Sequence, residues 1–275
     1  MYWKDHTFII CAYGESPYLE ECIQSLFAQK TRSNLCIATS TPNQHIQRLA
    51  EKYRLQLYVN AEGGGIGVDW NFAYAMGKTP YRTIAHQDDV YFPEYAQRIF
   101  QAARQAQKPL IFFTNYWEIR EKSYVKGNTL LRIKRMLLLP LCRRRLQSRV
   151  WVRRRILSLG NPICCPSVTF ACENLPDAVF APGFRASLDW EAWERLSRRR
   201  GEFVYVPRPL MAHRIHRESE TSAAIQDQAR RREDQAMYEK FWPSWMVKWL
   251  LRAYAASEKS NDSFHAPTGQ AHHPK

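Results

Sequence analysis

Asp88 and Asp89 stand side by side at the end of the apolar stretch Thr83-Ile84-Ala85-His86-Gln87, just ahead of Phe92-Pro93-Glu94, where a helix is expected to begin. Adjacent carboxylates delivered by the end of a buried strand are hard oxygen ligands, the set that suits Mg²⁺ or Mn²⁺ holding a diphosphate. The plainer alternative is a strand-to-helix turn in which one carboxylate caps the helix. A second group, Ala212-His213-Arg214-Ile215-His216-Arg217, is dense in side chains that bind metal or phosphate. A third, Ser187-Leu188-Asp189-Trp190-Glu191, puts acids in the first turn of a predicted helix that ends in arginines, as the helix dipole favours.

These groups need a frame, and the hydrophobic pattern supplies one. Strands are expected at Phe8–Ala12, Leu35–Ala38, Leu55–Val59, around Thr83–Ala85 and at Leu110–Thr114. Helices are expected between them, from Tyr18 to about Gln29, Gln44 to Tyr53, Val68 to Met76 and Glu94 to Gln105. Strands alternating with helices at this spacing predict a parallel, doubly wound sheet, whose ligands bind at the carboxyl ends of the strands. Asn60-Ala61-Glu62-Gly63-Gly64-Gly65-Ile66-Gly67 opens the third helix, so backbone N–H groups there can approach a phosphate or a ribose. It is neither a P-loop nor a dinucleotide fingerprint, which would follow the first strand. A plain flexible turn explains the same glycines.

Composition narrows the class. The 275 residues are 45% hydrophobic and 13% aromatic, enough for a packed core, with no run of the roughly 18 apolar residues that a spanning helix needs. The apolar run at Phe8–Ala12 is too short for a signal sequence, so the expected compartment is the cytoplasm. Seven scattered cysteines lack metal or redox spacing and read as reduced thiols. The net charge of +14 is concentrated: eleven basic residues and no acidic one lie between Lys126 and Arg155, interleaved with leucines from Leu130 to Leu141. That pattern reads as a basic amphipathic hairpin on an anionic bilayer. A solvated helix face and a nucleic-acid patch are the alternatives, and no nucleic-acid-binding motif supports the last.

Beyond Gly160, the proline-containing run Asn161–Phe170 reads as an edge strand or pocket-lining loop, and Phe203–Val206 as a strand. A charged helix is expected over about Ala223–Phe241, then an amphipathic segment with Trp242, Trp245 and Trp249. A polar tail over 257–275 is expected to be disordered.

In this order, Cys11-Ala12-Tyr13-Gly14-Glu15, Gly64-Gly65-Ile66-Gly67-Val68-Asp69-Trp70-Asn71, His86-Gln87-Asp88-Asp89, Leu188-Asp189-Trp190-Glu191 and His213-Arg214-Ile215-His216 resemble glycosyltransferase family 2 with the GT-A fold. The resemblance implies an α/β domain over 1–222 with a Rossmann-like, mostly parallel central sheet flanked by helices. It would divide into a nucleotide-sugar half (1–115), a basic helical insertion (126–158) and an acceptor-side half (160–222), with C-terminal helices over 223–256. It implies an inverting, Mn²⁺- or Mg²⁺-dependent transfer of a sugar from a nucleoside-diphosphate sugar, uridine by default, to an acceptor hydroxyl. The acceptor expected is a lipid-linked saccharide of a bacterial surface polysaccharide, with the enzyme peripheral at the inner face of the membrane. The rival reading is a catalytically silent GT-A-like module that binds a membrane or partner.

By the same resemblance Asp88 is the metal ligand and His216 a further metal or phosphate contact, with His213 and Arg214 secondary and packing the first expectation for His213. Asp89 binds the metal through water or orients the sugar. His86 replaces the first Asp of the family's metal motif, so His86 or Gln87 makes the ribose contact. Ala12, Tyr13, Glu15, Thr39, Gly65, Asp69 and Asn71 face the nucleotide sugar, although capping and solvation would account for Asp69 and Asn71. Asp189 is the base that deprotonates the acceptor, its pKa raised if half-buried against Trp190, and Glu191 is the alternative.

Overall fold

The computed structural model describes residues 1–121, 123–215 and 223–252. Its sheet runs β3-β2-β1-β4-β8-β6-β9-β5, from β1 (Tyr2–Ala12), β2 (Arg32–Thr39), β3 (Gln56–Val59), β4 (Tyr81–His86), β5 (Val90–Tyr91), β6 (Pro109–Arg120), β8 (Val168–Ala171) and β9 (Glu202–Ile215). A short β7 (Ser123–Val125) hangs from β6. Strands β3, β2, β1 and β4 are mutually parallel, so their carboxyl ends share one edge. The fold class is the expected α/β one, with antiparallel pairs confined to β8, β5 and β7.

Period-two alternation sorts side chains onto two faces. Phe8, Ile10, Ala85 and Phe112 face α1 (Leu19–Phe27), α2 (Gln44–Tyr53) and α4 (Tyr95–Ala103). Ile84, Ile111, Phe113 and Phe170 face α7 (Val150–Leu157) and α8 (Leu188–Ser197), whose Trp193 and Leu196 are fully buried. Burying side chains of this size contributes about 1.5–3 kcal/mol each, so this face alone can hold α8 in place.

Three features depart from expectation. The run Asn161–Phe170 does not form an edge strand: β8 lies inside the sheet, antiparallel to both β4 and β6. Pro162 and Pro166 fall ahead of Val168, so every β8 residue keeps its N–H for the ladder. Next, β6 extends to Arg120 and β9 to Ile215, well past the predicted ends at Thr114 and Val206. The His213-Arg214 group is therefore a strand, paired with Glu118-Ile119 of β6, while the neighbouring Ala212 pairs with Val90 of β5. Finally, the basic segment is a chain of short pieces: α5 (Thr129–Leu138), a 3-10 turn carrying Pro140, α6 (Arg144–Gln147) and α7. A last helix, α9 (Ala223–Glu239), leads to a helical stretch at 244–252. None of the described helices is long and apolar enough to cross a membrane. His216 and the tail lie outside the described residues.

Candidate active site

The turn joining β4 to β5 carries His86, Gln87, Asp88 and Asp89. Asp89 is fully buried, and one of its oxygens accepts hydrogen bonds from the Arg214 backbone N–H (2.9 Å) and from Nδ1 of His213 (3.0 Å). The arrangement follows from the sheet, because β9 lies against β5 at this point. Arg214 goes further: its Nε donates to the Asp88 carbonyl (2.8 Å), its guanidinium to Glu21 of α1 (2.6 Å), and it lies over the Tyr18 ring at 4.2 Å. One arginine thus fixes the acidic turn to both β9 and α1.

The other Asp89 oxygen and Nε2 of His86 are buried and without a hydrogen-bond partner. Leaving such groups bare costs roughly 1–3 kcal/mol each. His86, Asp88 and Asp89 each present a ligand atom, all within 4.8 Å of one another, and the Trp70 ring covers His86 at 4.9 Å. A mixed nitrogen and carboxylate set with an unmatched buried oxygen fits a divalent cation. Burial, partly offset by Asp88, lowers His86 to about 4, which keeps it neutral. For His213, burial acts in the same direction but the charge and hydrogen bond of Asp89, with Asp88 behind it, bring it up to about 9. The cluster therefore pairs a neutral imidazole with one that the carboxylates hold in its cationic form.

The loops at the parallel edge surround this turn. Ala12 ends β1, buried, with exposed Tyr13 and Glu15 after it. The Gln87 amide donates to the Tyr13 carbonyl (2.9 Å) and accepts the Tyr13 N–H (3.0 Å). That clamp ties the acidic turn to the β1 loop through both the oxygen and the nitrogen of Gln87. Thr39 is likewise turned inward, accepting from the Thr41 N–H (3.1 Å), while Thr41 receives the Gly14 N–H (2.7 Å). Asp69 accepts from Ser40 (2.8 Å) and Asn60 (3.0 Å), tying the ends of β2 and β3 to α3 (Ile66–Met76). Asn71 holds the backbone of Val179 and Phe180 through three hydrogen bonds. These bonds give it an anchoring role. Gly63, Gly64 and Gly65 have φ of +61°, +121° and +96°, values that side-chain-bearing residues resist, and Gly65 stands just before α3.

On the acceptor side, Asp189 accepts from Asn161 (2.7 Å) and from the Trp190 N–H (2.8 Å). Burial raises its pKa above the ordinary aspartate value, against the lowering effects of Trp190, Lys134 and Asn161. After burial itself, the charges of Asp89 and Asp189 both push up the thiols of Cys164 and Cys165. Glu191 sits elsewhere on α8. It lies about 200° round the helix from Asp189, buried against Lys240 (3.3 Å) and Arg195 (3.5 Å). Those two cations make it an anchor for α8.

Sequence reading missed three contributors. Lys134 turns inward from the basic segment and donates to the Tyr116 hydroxyl (2.9 Å), with the Tyr116 ring set edge-on to His213. Its spacing from buried Leu131 and Leu138 put it on the inner stripe of α5 and was the available signal. Asn161 fixes Asp189. Glu233 of α9 collects the N–H groups of Arg185 (2.9 Å), Ala186 (2.8 Å) and Ser187 (2.8 Å), the turn that leads into Asp189.

Comparison with known proteins agrees with this architecture. Residues 7–172 match the family model described as Glycosyl transferase family 2. No curated protein matches the chain. Among solved structures, S. aureus TarS 1-349 in complex with UDP-GlcNAc aligns with a TM-score of 0.58 at 14% identity, over 90% of this chain and 70% of that one. Glucosyl-3-phosphoglycerate synthase from Mycobacterium tuberculosis, in complex with Mn²⁺ and UDP-glucose, aligns with a TM-score of 0.53 at 15% identity, over 80% of this chain and 74% of that one. A longer S. aureus TarS structure gives 0.56 at 12% identity, and this chain spans only 42% of it while 90% of this chain is covered. At such identities the likeness is one of fold, the GT-A fold. The family match covers more than half of the 275 residues and includes the acidic turn, and on that ground the chain belongs to glycosyl transferase family 2.

Proposed function

We propose that the protein is an inverting, divalent-metal-dependent glycosyltransferase that moves a sugar from a nucleoside-diphosphate sugar to a hydroxyl of a lipid-linked saccharide in cell-surface polysaccharide synthesis. The observation that carries the reading is the convergence of His86, Asp88 and the half-satisfied, buried Asp89 on one turn, with the hydrogen-bonded Asp189 at the start of α8 as the second acidic group. Asp88 with His86 and Asp89 would hold the cation, which supplies positive charge for the departing diphosphate. His213 and Lys134 add fixed cations beside it, an arrangement that favours negative charge developing there.

Asp189 serves as the base. Its carboxylate takes the proton of the acceptor hydroxyl as the oxygen lone pair attacks the anomeric carbon and the bond to the diphosphate oxygen breaks. Its raised pKa makes it a better proton acceptor, and Asn161 holds it oriented. The sugar-nucleotide complexes of TarS and the phosphoglycerate synthase support uridine as the base of the donor. The basic segment supports an acceptor presented at the inner face of the membrane.

Purified protein is tested for nucleotide release from UDP-, GDP- and dTDP-sugars with Mn²⁺, Mg²⁺ or EDTA. Metal-dependent release from one donor, abolished in Asp88→Ala, is the expected result. Absence of both release and metal-dependent nucleotide binding overturns the catalytic reading in favour of a silent GT-A-like module.

A further inference from the structure

The basic segment makes a second concave surface, separate from the site around Asp89. A cleft of about 670 Å³ lies along α7, lined by Arg149, Val150, Trp151, Arg154, Arg155 and Phe241 together with two serines. Its volume is that of a small-ligand site. No carboxylate lines it. The Arg154 guanidinium is matched by Glu194, but neither Arg149 nor Arg155 has a carboxylate partner among the described residues. Arg155 instead lies over the Trp242 ring at 4.8 Å, and the Trp242 indole donates to the Ser158 carbonyl (2.6 Å), which fixes the far wall. Arg149 also stands just ahead of the first turn of α7, a cation at the positive end of a helix dipole, which an anion in the cleft would offset.

The rim is as telling as the floor. Trp151 is 68% exposed beside the cleft. The helical stretch that continues from its far wall carries Trp245 and Trp249, 72% and 66% exposed, while Val247 between them is buried. Residues four apart share a helix face, so these two indoles point the same way, into solvent. Exposed indoles, one lining the cleft and two on the next helical stretch, together with guanidinium groups that no carboxylate matches, suit the boundary layer of a bilayer, where tryptophan settles at headgroup depth and arginine grips phosphate with its planar fork. A free phosphate would leave the indoles unexplained. A nucleic acid would call for a track of cations rather than one concave pair with apolar walls.

We propose that this cleft seats the phosphate headgroup of an anionic lipid, with Trp151, Trp245 and Trp249 lodged in the interfacial layer. The proposal rests on the membrane-side reading above and not on the catalytic one. Its test is co-sedimentation of the full chain with phosphatidylglycerol-containing and pure phosphatidylcholine vesicles, with soluble metal-dependent donor hydrolysis read on the same preparations. Wild type should partition onto the anionic vesicles. Arg149→Glu combined with Trp151→Ser should weaken that partition by about tenfold or more, since each interfacial Lys or Arg is worth about 1 kcal/mol, and should leave hydrolysis unchanged. Three outcomes overturn the proposal: equal binding to both vesicle types, unchanged partition of the double variant, or tighter binding of duplex DNA or inorganic phosphate than of vesicles. Loss of hydrolysis with vesicle binding intact would strike the catalytic reading alone.

Discussion

The division of labour between Asp88 and Asp89 is set by what surrounds each. Asp89 has no exposure and is held by β9 from one side, while Asp88 is partly exposed with its backbone carbonyl gripped by Arg214. Across the site, Asp189 combines burial with two hydrogen-bond donors, so it stays aligned while remaining a stronger base than a surface aspartate. Asp189→Asn is isosteric but cannot accept the proton. We expect kcat to fall by about 10²–10⁴-fold with donor affinity within a few-fold of wild type, checked by transfer kinetics and calorimetry. The base must be ionised, so activity is present above the Asp189 pKa and lost as pH falls through it. Because that pKa is raised, the acid limb of the kcat/KM profile should lie above the ordinary aspartate value of about 4.

Among elements, the most telling contact is the one between α9 and the turn before α8. The Glu233 carboxylate takes three consecutive N–H groups, and the Ser187 hydroxyl donates to Asp234 beside it (2.8 Å). Charge-assisted bonds of this kind are worth more than neutral ones, up to about 1.5–3 kcal/mol each net of water, and less where the carboxylate is partly exposed. Glu233→Gln keeps the shape and removes the charge. It should lower Tm by a few degrees and reduce kcat more than the KM for the donor, since the turn positions Asp189 and not the nucleotide loops. A purely structural role would lower Tm and leave kcat per folded molecule untouched. Such contacts are where sequence reading stopped. Strand and helix periodicity located β1 through α4 because each apolar stripe repeats locally. The β9 pairing of His213 with Asp89 and the reach of Glu233 to residue 185 join positions 124 and 48 residues apart, and no local pattern encodes them. The backbone partners of Gln87 and Asn71 were hidden for a related reason: a polar side chain beside a loop looks the same in sequence whatever it bonds to.

Over the whole molecule, protonation links fold stability to pH through His6. Its imidazole is buried between Ser33 and Thr83 (2.9 Å each), stacked on Trp3, and burial lowers it to about 3. The unfolded chain binds this proton near 6.5 and the folded chain does not. The contribution is therefore fully present above 6.5 and is lost as pH falls toward 3. Between pH 6.5 and 5 the loss should be about 2 kcal/mol from this one group. Urea titrations of wild type and His6→Asn at the two pH values check it: the variant, less stable at neutral pH, should show a flatter acid slope. The same scale accounts for what the basic composition did and did not reveal. A count of eleven cations flagged the segment from Lys126 to Arg155. Only packing separates Arg153, buried with its guanidinium on the carbonyls of Arg199 and Gly201, and Lys134, turned inward to the Tyr116 hydroxyl, from the arginines left facing water.

The strand that carries His213 is the last one laid into the sheet by chain order, and it is the strand that closes the pocket around Asp89. A ribosome releasing this chain would have produced all of β1 to β5 long before residue 213 emerged. Until then Asp89 has no imidazole to lean on and its turn no arginine to pin it. The acidic turn thus takes its final hydrogen-bonded form only once β9 has been made.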